Sequence, residues 1–190
     1  VESFSGRPRR RKIVGARPFR TLTFSKSPEM IDDIDRAILT ILQENARTSN
    51  AEIARQVGLA PSAIFQRIRK LEDSGIIQGY SAYLNPRALG FGLVAYVMIQ
   101  TGEHAHAVDT TARLSAIPEV QEVHRVVGED CFFVKVRVRD TDALGQLLDE
   151  HIQRIPSVAS TRTTIVLRTG KESAKLPLGT PELETQRGAA

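Results

Sequence analysis

The sequence has a single cysteine in 190 residues and no long hydrophobic run. One thiol, Cys131, excludes an internal disulfide framework and any zinc site built mainly from Cys ligands. It leads us to expect a reduced, cytoplasmic setting. The longest stretch without a charged or strongly polar group, Ala88 to Ile99, is well short of the ~20 residues of a spanning helix. No membrane partner is expected. The arginines near the start are not followed by the apolar core, about 7–15 residues long, of a secretory signal.

Constellations that would carry catalysis or a cofactor are equally scarce. His104 and His106 stand two apart at a strand-to-helix junction, and His124 and His151 are isolated in sequence. Metal ligation needs several converging donors, and no motif has that spacing. Gly90-Phe91-Gly92 lacks the third glycine of a dinucleotide loop and precedes a strand rather than a helix. Cys131 falls at a strand start with no Cys/His arrangement around it, so packing explains it better than nucleophilic chemistry. Asp149-Glu150 lies on the polar side of an amphipathic helix, where solvation accounts for it. The expectation is a protein that is not an enzyme, with no cofactor and no metal.

What is present reads as soluble and globular: 41% hydrophobic and 25% charged residues, mean hydropathy −0.19. The length suits one ordinary domain or two small ones. The net charge of +4 is unevenly placed. Residues 1–28 hold eight basic groups against Glu2 alone, a net of +7, and the remainder sums to −3. Residues 1–29 carry Pro8, Pro18 and Pro28 with little apolar periodicity, which gives a basic arm without a core. It can be read as a nucleic-acid-binding arm, as a solvated tail, or as a consequence of start-site choice, since the chain opens with Val and Met30 stands directly before the first helix.

From Asp32 the pattern becomes helical. Ile34, Ile38, Ile41 and Leu42 recur on one face, with Asp32 and Asp33 as capping candidates. A second helix follows Ser49, which forms a capping box with Glu52 and turns Ile53, Ala54 and Val57 inward. Gly58 supplies the turn, Pro61 opens a third helix, and Ile64, Ile68 and Leu71 form its apolar stripe. Gly75 ends it. Ile76 to Leu84 alternates like a short two-stranded ribbon. Three helices and a small wing describe a winged helix-turn-helix.

Beyond a connector at 86–90 the elements alternate. Strands are expected over Phe91–Thr101, Val120–Val127, Cys131–Arg139 and Val158–Leu167, with helices over about 105–117 and 141–155. The later helix is the clearer, with Leu144, Leu147, Leu148 and Ile152 on one face. The order βαββαβ describes a ferredoxin-like sandwich, so the whole is α+β. The uncovered sheet face is expected to carry Val134, Val136 and Val138 or their neighbours, an apolar patch that a second subunit would cover.

The third helix is the strongest functional candidate. With its apolar stripe inward, Ser62, Gln66, Arg69 and Lys70 point outward, with Ala63 and Arg67 on one flank. Glutamine can pair with adenine, arginine with guanine, and small side chains can meet the thymine methyl, while Lys70 and one or both arginines hold phosphates. A charge cluster alone is more often a solvated helix face. Its place on the second helix of a helix-turn-helix favours double-stranded DNA.

The runs Ile34–Leu39, Ala46–Ala54, Val57-Gly58-Leu59, Arg67–Glu72, Gly75–Tyr80 and Leu84-Asn85-Pro86 resemble the Lrp/AsnC (leucine-responsive, or feast/famine) family of transcriptional regulators. The resemblance runs from about Met30 to Leu178 and includes Val127-Gly128-Glu129, Thr161-Arg162-Thr163 and Lys175–Leu178. It implies homodimers joined through their sheets, assembly to tetramers or octamers, and an amino acid or related effector held between dimers. Two departures stand out. Ala60 occupies a position that is often a capping Ser, a change worth ~1 kcal/mol, and Ser62 is a substitute cap. The family's turn often reads Gly-Asp-x-Asp; aligned on Gly128, its second acid falls on Cys131, which cannot match an ammonium charge. Glu129 or Asp130 substitutes for it, the effector differs, or Glu129-Asp130 is simply a polar turn. Effector contacts are therefore expected at Gly128, Glu129, Asp130 and Cys131.

The expected organisation is an arm at 1–29, a DNA-binding unit at 30–85, a connector at 86–90, an effector and oligomerisation unit at 91–178, and a tail at 179–190. The expected function is a sequence-specific, effector-responsive transcriptional regulator. Two other classes stay open: an effector-independent nucleoid-type DNA binder, and a small-molecule-binding ferredoxin-like protein whose helices serve protein contacts.

Overall fold

The computed structural model describes residues 31–102 and 107–179. The arm at 1–29, His104, His106 and the tail beyond Gly179 lie outside them. The described chain divides into two compact units, one ending at Gly79 and regaining the chain at Leu178, the other spanning Tyr80–Pro177.

The first unit is three helices: α1 (Asp33–Glu44), α2 (Asn50–Val57) and α3 (Pro61–Asp73). The carboxylate of Asp32 caps α1 by accepting the Asp35 N–H at 2.7 Å, and the Asp35 carboxylate accepts the Asp32 N–H at 3.4 Å. Ser49 caps α2 by accepting the Glu52 N–H at 3.2 Å. The Glu52 side chain turns to Arg55 and Gln56 instead of reaching back, so only half of the expected capping box forms. Gly58 at φ 74° then makes the left-handed turn into α3, a conformation costly for any residue with a Cβ. Ile38, Ile53 and Ile64, all fully buried, centre the core with Leu39, Ala54 and Leu71, and Leu178 packs against them from the far end of the chain.

Residues 76–84 contain no strand, which corrects the ribbon expected there. Tyr80, Tyr83 and Leu84 are exposed, and an isolated two-stranded ribbon without a face to pack on is marginal in water.

The second unit follows the expected βαββαβ order: β1 (Leu93–Thr101), α4 (Ala107–Ser115), β2 (Val120–Arg125), β3 (Phe132–Val138), α5 (Thr141–Gln146) and β4 (Val158–Ile165). The strands form one antiparallel sheet in the order β2-β3-β1-β4. The chain continues from α5 into a π-helical turn, Leu147–Ile152. Its wider period brings Leu147 and Ile152, five apart and both buried, onto the sheet. One sheet face, with Val97, Ile99, Val134 and Val136, packs against Leu114 and Leu144 of the helices.

The register decides between the two alternatives for the uncovered face. Val134, Val136 and Val138 lie on the helix-covered face, so the opposite face belongs to their neighbours Phe133, Lys135 and Arg137 with Tyr96 and Met98 of β1. That face is mixed rather than apolar. Tyr96 and Phe133 stack with centroids 5.0 Å apart. Beside them the Lys135 ammonium lies between Glu122 and Glu172, and Arg137 donates to Glu172 at 2.9 Å.

Candidate DNA interface and effector loop

The side of α3 opposite Ile64, Ile68 and Leu71 is built from polar and small residues. Ser62, Gln66, Arg69 and Lys70 are exposed and Ala63 is half-buried. Arg69 is 3.9 Å from Asp73 one turn on, with both side chains largely in solvent. Ala60 provides no side-chain cap; its carbonyl accepts the N–H groups of Ala63 and Ile64 at 3.0 and 3.2 Å. The substitute-cap role raised for Ser62 is not seen among these bonds.

Arg67 is placed differently from its neighbours. Its guanidinium turns to α1, where one Nη1 donates to Asp32 at 2.7 Å and to Asp35 at 2.8 Å. Hydrogen bonds to Asp35 and Asp32 raise the guanidinium pKa against the opposing effect of burial. Burial alone would raise the Asp32 pKa, but the Asp35 N–H and Arg67 together hold it below the usual carboxylate value. Arg67 thus ties α3 to α1. The sequence hid this because the partners are 35 and 32 residues away; the available signal was an acidic cap on α1 facing a basic flank of α3.

The second group forms the β2–β3 turn. Gly128 takes φ 142°, and the turn is closed where the Val126 N–H donates to the Cys131 carbonyl at 3.0 Å. Asp130 accepts a 2.7 Å bond from Arg162 of β4 and is 19% exposed, whereas Arg162 is 66% exposed. Glu129 lies exposed beside it. The Cys131 thiol is lowered in pKa first by hydrogen bonding with Thr101, with burial opposing and the Arg125 charge assisting. Of the four expected effector residues, the loop therefore offers one exposed carboxylate, one carboxylate already paired, and a polarised thiol. Arg162 joins them; reading 161–163 as a strand could not show that its guanidinium reaches the turn.

Among the described residues no group of three or more His, Cys, Asp or Glu could hold a metal ion, and no helix is long and apolar enough to cross a membrane.

A helix-turn-helix with a polar, basic third helix, followed by a four-stranded antiparallel sheet with helices on one face, defines a DNA-binding transcriptional regulator with a ligand-binding domain. Comparison with known proteins supports both parts. Residues 31–78 match the winged helix-turn-helix DNA-binding family, and residues 94–176 match the Lrp/AsnC ligand binding domain. The chain is 40% identical over 152 residues to the leucine-responsive regulatory protein of Salmonella typhimurium, covering 79% of this chain and 93% of that one. The structure of Escherichia coli AsnC superposes with a TM-score of 0.73 at 35% identity, over 77% of this chain and 98% of the other. A feast or famine regulatory protein from M. tuberculosis, complexed with L-methionine, gives 0.71 at 39% identity, over 76% and 97%. The chain belongs to the Lrp/AsnC family of transcriptional regulators. The relatives it matches are regulators rather than enzymes.

Proposed function

We propose that α3 enters the major groove and that Ser62, Ala63, Gln66, Arg69 and Lys70 contact DNA, while Arg67 holds the helix at its working angle. The observation that carries this reading is the contrast within one helix: the exposed Gln66 and Arg69 stand opposite an apolar stripe, and Arg67 is committed to α1. Residues 30–85 act as the reading unit, 86–90 as the connector, and 91–178 as the effector and assembly unit. Glutamine and arginine have the donor geometry for adenine and guanine edges, and lysine neutralises phosphate.

The effector is an amino acid. The M. tuberculosis relative holds L-methionine, and in this chain the Gly128–Cys131 turn presents Glu129 for an ammonium group while Arg162 keeps Asp130 in place. Two copies join through the mixed sheet face, and dimers assemble further, to tetramers or octamers. Effector binding between dimers then shifts the placement of paired recognition helices and so the half-sites they span.

Fluorescence anisotropy on a duplex selected from a random pool tests the DNA reading. Changing Gln66, Arg69 and Lys70 together to Ala removes sequence preference and flattens the salt dependence by about two charges per copy. Unchanged preference refutes the assignment. Calorimetry against a panel of amino acids, with light scattering in parallel, tests the effector. Silence across the panel marks an effector-independent nucleoid-type binder.

A further inference from the structure

The exposed face of α3 includes one residue that neither the fold nor the polar contacts explain. Phe65 is 52% exposed, although it follows the fully buried Ile64, and it is not among the hydrophobics packed on the helical core. A single exposed apolar side chain is common on any surface, so exposure alone says little. Position says more. Helical spacing sets Phe65 one turn after Ser62 and one turn before Arg69, on the flank opposite Ala63 and Arg67, with Gln66 about 100° further round the helix. On its outer side stand Ser62 and Arg69, both exposed, and on its other side Pro61, Ile68 and Glu72.

In the major groove the base edges present donors, acceptors and one apolar group, the C5 methyl of thymine. A glutamine that pairs with adenine places a thymine in the same base pair, with its methyl on the groove edge. We propose that Phe65 is a specificity-determining residue that packs its ring on a thymine methyl next to the Gln66 contact. The inference rests on the placement of α3 in the groove. It adds an aromatic contact on the flank opposite Ala63, and it marks thymine rather than any pyrimidine as the preferred base at one position of each half-site.

The test uses the full chain and its selected duplex, with each thymine replaced in turn by deoxyuridine, which removes only the methyl. Losing a buried methyl weakens binding about fourfold, so one position per half-site is expected to show that loss with the wild-type protein. Phe65→Ala is expected to bind thymine and deoxyuridine duplexes equally, near the wild-type level on deoxyuridine, with its melting temperature and salt dependence unchanged. Phe65→Leu keeps part of the ratio. The proposal is overturned if the wild-type protein is indifferent to deoxyuridine at every position. It is equally overturned if Phe65→Ala keeps the wild-type ratio or loses salt-dependent binding altogether. A wild-type protein that shows no sequence preference at all refutes the groove placement itself, which separates that failure from a failure of the methyl contact.

Discussion

Each half of the molecule holds one cation between two carboxylates, and the two arrangements differ in depth. In the helical unit Arg67 bridges Asp32 and Asp35 with its side chain 31% exposed. On the sheet Lys135 lies between Glu122 and Glu172 with its side chain 9% exposed. Arginine is weakly hydrated, so one Nη1 shared between two carboxylates orients two helices at low cost near solvent. Lysine is a strongly hydrated point charge, and burying it is tolerable only while its partners stay in place. Burial tends to lower the Lys135 pKa, yet hydrogen bonds to Glu172 and Glu122 raise it overall. The first cluster sets an angle and the second fastens a chain segment to a sheet, so their loss should be felt differently.

The largest effect is expected from Lys135→Ala, which leaves two carboxylates facing a partly dry surface. We expect a loss of about 2–3 kcal/mol in urea denaturation, below the usual cost of breaking a buried pair because both glutamates are nearly half exposed. Lys135→Met should recover part of it by restoring the stem. Arg67→Ala should cost about 1 kcal/mol, and Arg67→Lys should restore part of it, because both bonds leave a single Nη1 that an ammonium can stand in for. A greater loss at Arg67 than at Lys135 would reverse the comparison.

Titration sharpens it further. Asp32, Glu122 and Glu172 all have depressed values. Their contribution is present above the ordinary carboxylate values of 3.8 and 4.5 and is lost as pH falls through the depressed ones, so both units weaken in acid. At the alkaline end they part. The raised Lys135 value means its contribution is complete below 10.5 and fades as pH rises through the folded value, while Arg67 stays charged. The stability advantage of wild type over Lys135→Met should therefore shrink above that pH, and the advantage over Arg67→Ala should not. The smallest effect is a gain: Ala60→Ser supplies the missing cap of α3 and should add roughly 0.5–1 kcal/mol, read as a higher melting temperature for the helical unit alone.

The helices were legible because their apolar residues repeat at i, i+4 and i+7, a pattern with one structural solution. The strands were legible as strands, but their faces were not. Val134, Val136 and Val138 alternate with Phe133, Lys135 and Arg137, and Phe133 and the lysine stem made either face a credible interior. The pairing that decided it, Val97 against Val134 and Met98 against Phe133, depends on another strand's register. Residues 76–84 misled because alternation needs a partner strand to become a ribbon. The exposed side of α3 could be read from its wheel, yet Arg67 could not, because helical geometry predicts direction and not the carboxylates waiting on another helix. Glu172 was invisible for the same reason, 37 residues from Lys135.

Leu178 packs on the core of Ile38, Ile53 and Ile64, which gives the helical unit a late component. During synthesis the three helices emerge first and can collapse early, since their mutual contacts are local. Among the described residues, their last apolar neighbour arrives only after the whole sheet unit has been made. The helical unit thus appears before the sheet unit and is completed after it, and a nascent chain stalled before residue 178 would display a helical core that lacks Leu178.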